Sequence, residues 1–453
     1  MTPYSEFLER KQLLCPAAGV KVSSESLHPE LFPFQRDLTR WALAKGRAAL
    51  FTSTGTGKTL MQLVWSQHAA DRVLILAPLA VAQQTVREGE RWGIPVTYAH
   101  DYSEADDRGI TITNYERLDR FDPSYFGAVV LDESGILKNF AGATRTALIA
   151  AFKNTPMRLC CTATPAPNDI AEIANHAEFL GVMTRAEMLS AFFVHDDRVG
   201  WRLKGHAREP FYRWLASWGM SLLKPSDIGH DDTGYDLPPL TIEPLFIATD
   251  YVPEGRLFPD RLQGITERAA VRRDTIDERV EAAAKLMMNE GWESWIAWVG
   301  LNEEGRALEK WVPYSALVEG SQSADEKARR IDQFLSREKR CLITKPSIAG
   351  FGLNLQHCAR MVFIGLSDSY ESYFQCLRRC WRFGQTREVK AYIVLSEPEE
   401  VIYRNVLAKE REAEKLSAEL IRNAAAYEKA ELSAGAARTD YRAEAELVLP
   451  GWL

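Results

Sequence analysis

Short apolar runs recur along the chain between stretches of mixed polarity. Between residues 48 and 166 they are Ala48-Ala49-Leu50-Phe51, Val73-Leu74-Ile75-Leu76, Ile110-Thr111-Ile112, Val129-Val130-Leu131 and Arg158-Leu159-Cys160-Cys161. Runs this short, without alternation and separated by helical patterns, predict parallel strands buried on both faces. After Gly291 the rhythm returns with Ser294 to Val299, Cys341-Leu342-Ile343, Met361 to Ile364 and Ala391 to Leu395, so a second α/β sheet is expected. From about Asn168 to Leu245 the pattern is less periodic and rich in Trp, Phe and His. Leu237-Pro238-Pro239 within it reads as the linker between two lobes. Beyond Lys409, charges of both signs alternate with alanines from Glu410 to Glu446, as in a solvated helix or helical pair.

Length agrees with two cores. One core rarely grows beyond roughly 250 to 300 residues, and this chain has 453, of which 46% are hydrophobic. Met1 to Glu30 lacks a basic start followed by an apolar run, and no uncharged apolar stretch approaches the roughly 20 residues of a membrane span. A soluble protein with no membrane partner is expected. Seven cysteines without a Cys-x-x-Cys pair argue against a disulfide framework or zinc site and suit a cytoplasmic setting. A net charge of -7 excludes a wholesale basic coat but decides little about nucleic acid, where the placement of Lys and Arg matters more than their sum.

The chemistry begins at Thr52-Ser53-Thr54-Gly55-Thr56-Gly57-Lys58-Thr59, which follows a predicted strand and opens a helix with Leu60, Leu63 and Val64. That context makes it a phosphate loop. Backbone N–H groups of Thr54 to Gly57 can approach phosphates, Lys58 can reach the β and γ oxygens, and Thr59 can hold Mg²⁺. Val129-Val130-Leu131-Asp132-Glu133 then places two acids at the C-terminal end of a strand, where such sheets bind ligands. Asp132 is the expected Mg²⁺ partner, and Glu133 the group that orients or deprotonates a water. In Gln375-Cys376-Leu377-Arg378-Arg379-Cys380-Trp381-Arg382-Phe383-Gly384-Gln385, positions Gln375, Arg379 and Arg382 fall at i, i+4 and i+7, on one helix face. Two guanidiniums there can face a γ-phosphate bound on the other lobe. Arg378 alone reads equally well as part of a basic helix.

The order of these motifs resembles the superfamily-two helicases, and among them the Snf-type DNA translocases. The resemblance runs from residue 31 to about 400. Gln35, in Phe32-Pro33-Phe34-Gln35-Arg36, resembles that family's adenine-reading glutamine. Leu76-Ala77-Pro78-Leu79 resembles motif Ia and Thr111 to Glu116 motif Ib, both DNA-backbone contacts in the family. Asp132-Glu133-Ser134-Gly135 with Lys138-Asn139 resembles motif II, and Cys161-Thr162-Ala163-Thr164-Pro165 with Asn168 resembles motif III. Val318 to Ser321 resembles the segment before motif V, Gly350-Phe351-Gly352-Leu353-Asn354-Leu355 motif V, and Gln375 to Gln385 motif VI. The departures are Thr52 for a small residue, Ser53-Thr54 for an acidic pair, Gly135 for the usual His, and about two extra residues before Gly350.

The resemblance implies an α/β protein of two tandem RecA-like phosphate-loop lobes with parallel sheets plus a C-terminal helical tail. Its parts are an N-terminal segment 1–30, lobe 1 at 31–236, lobe 2 at 237–409 and the tail at 410–453. It implies a DNA-dependent ATPase using ATP and Mg²⁺, with Glu133, Gln375, Arg379 and Arg382 catalytic. Gln35, Thr54, Gly55, Thr56, Gly57, Lys58, Thr59 and Gly352 bind nucleotide, and Thr59 and Asp132 serve the metal. The partner expected is double-stranded DNA, along which the protein moves; a strand-separating helicase or restriction-type motor subunit, and an ATP-regulated clamp with little turnover, are the alternatives. Compactness favours a bacterial or phage form. The tail is read as a helix packed across the lobes or as a dock for a nuclease or recombination partner. Trp292, Trp295 and Trp298, which straddle a strand, are read as core rather than as a base-stacking platform.

Overall fold

The structure, a computed structural model, describes residues 14–138, 142–167, 169–196, 200–248, 265–350 and 353–437. In the first half the strands are β1 Arg47–Thr52, β2 Arg72–Ala77, β3 Val96–Tyr98, β4 Gly109–Asn114, β5 Ala128–Asp132, β6 Met157–Cys161, β7 Phe193–Asp196, β8 Gly200–Leu203 and β9 Gly219–Leu222. The second half carries β10 Leu240–Ile247, β11 Trp295–Val299, β12 Ser315–Val318, β13 Cys341–Thr344, β14 Arg360–Ile364 and β15 Val389–Ser396. The helices that shape the site are α1 Pro33–Lys45, α2 Lys58–Ala69, α3 Leu79–Arg91, α4 Arg208–Ala216, α5 Tyr370–Cys380 and α6 Glu400–Ala437.

Two parallel sheets result, in two tandem RecA-like lobes. The first runs β3-β4-β2-β5-β6-β1-β9 and the second β10-β15-β14-β11-β13-β12, with β7 and β8 forming a separate antiparallel hairpin. Unbroken apolar runs are required because each sheet is covered on both faces. Along β1, Ala49 and Phe51 enter one core cluster while Ala48 and Leu50 enter the opposite one. Along β11, Ile296 and Trp298 face one side of the second sheet, and Trp295, Ala297 and Val299 the other.

Trp295 and Trp298 are fully buried, as the core reading expects. Trp292 is not: it is 77% exposed and lies three residues before the strand begins at Trp295.

The stretch expected to be irregular contributes four strands, the β7–β8 hairpin and one edge strand to each sheet. β9 lies beside β1 at one edge of the first sheet, and β10 follows the prolines and lies beside β15 at an edge of the second. An edge position explains why β10 tolerates Pro244, which has no N–H to give to a ladder.

The tail is one continuous helix beginning at Glu400, and it packs across both lobes. Ile402, Val406 and Ala413 join the second lobe's core, whereas Leu420 and Ala424 join the first lobe's. Further along, the buried Glu428 carboxylate accepts the Ser221 N–H of β9 at 2.7 Å, and Glu431 pairs with Lys45 of α1 at 2.7 Å. Burial raises the Glu428 carboxyl to about 8. The seven cysteines are unpaired, and all but Cys15 are buried. Among the described residues no helix is long and apolar enough to cross a membrane.

Candidate active site

The strand order determines what meets at the cleft. β6 lies between β1 and β5, so the loop after β6, Thr162 to Pro165, emerges between the phosphate loop after β1 and the acidic pair after β5. The loop itself turns on Gly55 and Gly57, whose φ values of 86° and 81° are left-handed conformations that glycine adopts without steric cost. Neither position has room for a side chain. A Cβ on Gly57 would lie 2.2 Å from Gln35 Nε2, and one on Gly55 would lie 3.0 Å from the Phe383 nitrogen of the second lobe.

Thr52, the first departure from the family pattern, is absorbed into the loop. Its hydroxyl lies 2.8 Å from Thr56 Oγ1, which donates to the Ser53 carbonyl at 2.8 Å. Lys58 opens α2 and donates to the carbonyls of Thr52 at 2.7 Å and Ser53 at 2.9 Å. Burial lowers its pKa, opposed by the charges of Glu133 and Asp132. Thr59 is next on α2 and shares a face with Gln62 three residues on. Gln62 Nε2 donates to Asp132 Oδ2 at 3.0 Å, so Thr59 and Asp132 flank one side of the loop.

Asp132 is further fixed by the Glu133 N–H, which donates to its Oδ1 at 3.0 Å, and by Tyr115, whose hydroxyl donates to its carbonyl at 2.7 Å. Glu133 has a φ of 54°, a conformation that strains a residue with a side chain by on the order of 1–3 kcal/mol and typically persists where function demands it. Burial raises the Glu133 carboxyl to about 7. Lys58 opposes that shift, Asp132 adds to it, and Arg379 opposes it from the other lobe. Asp132 is raised as well, chiefly by burial.

From the second lobe, α5 presents Gln375 and Arg379. Arg379 donates through Nη2 to Gln375 Oε1 at 3.0 Å, through Nε to the Gln375 carbonyl at 3.1 Å and through Nη1 to the Leu353 carbonyl at 3.4 Å. Its guanidinium is thereby aimed before any ligand arrives. Burial and the neighbouring Arg379 lower Arg382 to about 10, and its Cβ stands 3.7 Å from the Cβ position of Gly55. Arg378 goes elsewhere: it stacks on Phe374 and Trp381 and lines a cavity beneath α6. Gln385 is a scaffold, its Nε2 donating to the carbonyls of Gln356, Cys358 and Cys380. Gly352, Asn139 and Asn168 lie outside the described residues.

The buried atoms fit a phosphate-bearing ligand. Thr54 Oγ1, Gln375 Nε2 and Arg382 Nε are buried without hydrogen-bond partners, and such atoms are costly unless something completes them. Gln35 accepts from the Phe32 N–H at 2.9 Å and donates to the Thr56 carbonyl at 2.7 Å, which leaves one N–H and one lone pair of its amide for a base edge.

Two features escaped the sequence reading. Phe32, Phe34, Tyr235 and Phe383 form an aromatic cluster beside Gln35, with Tyr235 and Phe383 centroids 4.8 Å apart across the lobes. Phe383 sits inside the arginine motif, so its neighbours were the available signal. The second is an ion pair between Lys138 and Glu371 of opposite lobes. It stands where the missing histidine would be: a Cβ on Gly135 would lie 3.3 Å from Glu371 Oε1 and 3.6 Å from Thr162 Oγ1. The added residues before Gly350 make a helical turn, Pro346–Ala349, and beyond it Asn354 Nδ2 donates to Glu88 of α3 at 3.3 Å.

Residues 304–384 match the helicase conserved C-terminal domain, a span that includes α5 and both cleft arginines. Over 173 residues the chain is 25% identical to the SWI/SNF-related matrix-associated actin-dependent regulator of chromatin subfamily A-like protein 1 of Xenopus tropicalis. That match covers 35% of this chain and 18% of the relative, so the chain spans only a small part of its length. The Sulfolobus solfataricus SWI2/SNF2 ATPase core in complex with dsDNA aligns over 89% of this chain and 99% of its own, with 18% identity and a TM-score of 0.43. Over residues 304–384 the chain is thus similar to a helicase C-terminal domain, and over 173 residues to a chromatin regulator.

Proposed function

We propose that the chain is an ATP-dependent motor, stimulated by nucleic acid, that moves along double-stranded DNA. The observation that carries this reading is the meeting of Arg379 and Arg382 from one lobe with Lys58, Asp132 and Glu133 from the other in a buried cleft. Lys58 and the loop N–H groups hold the β- and γ-phosphates, and Thr59 and Asp132 hold Mg²⁺. The metal supplies charge neutralisation on the phosphate oxygens. Glu133 accepts the proton of the attacking water, and Arg379 and Arg382 offset charge on the transferring group, a role that contributes on the order of 10³ to 10⁵ in rate where measured. Gln375 keeps Arg379 aimed, and Gln35 with its aromatic neighbours receives the adenine.

Because the catalytic set is divided between lobes, turnover requires closure, and opening and closing can drive stepping. Duplex DNA is favoured by the form of the Gln375 to Gln385 segment and by a relative named for chromatin. Contacts to phosphate and sugar predominate in this reading, so affinity falls steeply with salt.

ATP turnover measured with duplex DNA, single-stranded DNA and RNA tests the proposal, with Lys58→Ala and Glu133→Gln as inactive controls. Duplex DNA is expected to stimulate most, and equal or greater stimulation by RNA would overturn the assignment. Triplex displacement without strand separation distinguishes translocation from unwinding.

A further inference from the structure

Away from the cleft, a cavity of about 680 Å³ opens at the N-terminal ends of the second lobe's strands. Residues just before β11, β12, β13 and β15 wall it, on the edge opposite the strand ends that lead to Gly300, Glu319 and Lys345. Gln356, His357 and Gln385, beside or within the segments that resemble motifs V and VI, also line it, but it opens on the opposite edge of the sheet from the cleft.

Three observations converge there. The first is aromatic: Trp292 is 77% exposed and Tyr314 60% exposed, their ring centroids are 5.9 Å apart, and the Arg340 guanidinium lies 5.3 Å from the Trp292 ring. Exposed aromatic faces beside cations form the kind of surface on which bases stack. The second is strain. Among the described residues, the non-glycine residues with left-handed backbone are Glu133, Tyr314 and Arg337, and the last two line this cavity with φ values of 57° and 66°. Such strain clusters at ligand sites. The third is charge and unmet hydrogen bonding. Arg387 is paired with Glu293 at 2.9 Å, but Arg337 has no ion pair among the described residues, and His357 Nε2 and Arg340 Nε are buried without partners.

A flat apolar face, the unpaired Arg337 and unsatisfied polar atoms in one cavity, which Glu293 and Glu338 also line, match a base carried on a phosphate. We propose that this cavity binds one unstacked nucleotide of a nucleic-acid strand, with its base against Trp292 and Tyr314 and its phosphate at Arg337 and Arg387. The inference is independent of the motor reading, because Lys58→Ala disables the cleft and leaves this cavity whole.

The test uses the full chain and a single-stranded oligothymidylate carrying 5-iododeoxyuridine, with excess unlabelled duplex present to fill the interlobe surface. Photocrosslinking followed by peptide mapping is expected to mark Trp292 or Tyr314. In fluorescence anisotropy, Trp292→Ala and Arg337→Ala are each expected to weaken oligonucleotide binding about tenfold, consistent with the worth of one stacked base. Trp292→Phe should retain most of the affinity, and Trp311→Ala, an exposed tryptophan outside the cavity, all of it. Competition by thymidine monophosphate would assign the site to free nucleotides, and its failure to compete would assign it to strands. Crosslinks confined to other surfaces, or wild-type binding by both alanine variants, would overturn the proposal.

Discussion

A carboxyl group that accepts a proton must be ionised first, and Glu133 is placed where ionisation is expensive. Burial lifts it to about 7, although Lys58 and Arg379 oppose the shift. Below that pH the base form falls about tenfold per unit. The rate of ATP hydrolysis is therefore expected to decline with unit slope as pH drops below about 7. Glu133→Gln is expected to lower kcat by about 10² to 10⁴, the usual range for losing a positioned base. Retention of more than a tenth of the wild-type rate would remove Glu133 from that role. The same shift has a consequence for stability. The folded state holds this proton at pH values where the unfolded carboxyl has lost it, so stability falls as pH rises from about 4.5 to about 7. Glu133→Gln should consequently melt at a higher temperature than the wild type at pH 8, with a smaller difference at pH 5, as differential scanning calorimetry would show.

Between elements, the Lys138–Glu371 pair joins the turn after β5 to the first turn of α5. Gly135 leaves the space that Glu371 approaches, and Thr162 on the neighbouring loop completes the contact region. The pair thus stands between the acidic strand end, the loop after β6 and the arginine helix. Lys138→Ala and Glu371→Ala are each expected to reduce DNA-stimulated kcat several-fold with little change in KM for ATP. The double variant should be no worse than either single one, because both remove the same contact. Fully additive losses in that cycle would show that the two residues act separately.

The elements also show what the sequence made legible. Buried parallel strands were readable because both faces are covered, and the cleft residues because their chemistry restricts residue type and spacing. β10 was hidden by its edge position, where half-exposed residues and Pro244 replace an apolar run. Glu371 was hidden because a charge on the first turn of a helix looks like an ordinary solvated end. Trp292 was misread with its neighbours because the strand begins only at Trp295, three residues later, and the residues before a strand carry no pattern that separates them from it.

At the scale of the whole molecule, α6 is a brace. A helix of 38 residues is about 57 Å long, enough to place Ile402 and Val406 in the second core and Leu420 and Ala424 in the first. Its contacts with α4, α1 and β9 tie it to the first lobe along three elements. A tether of this kind raises the effective concentration of one lobe's arginines at the other lobe's phosphate loop. Leu420→Asp places a charge in a buried apolar position, so it should release the helix from the first lobe while Ile402 and Val406 keep it on the second. ATP turnover without DNA is then expected to fall several-fold. If duplex DNA bridges the lobes, as the proposed motor requires, the fall should be smaller at saturating duplex, and small-angle scattering should show a larger radius of gyration. If the radius grew while DNA-free turnover stayed at the wild-type level, the helix would be joining the lobes without helping them close, and closure would have to come from cleft contacts such as Lys138–Glu371.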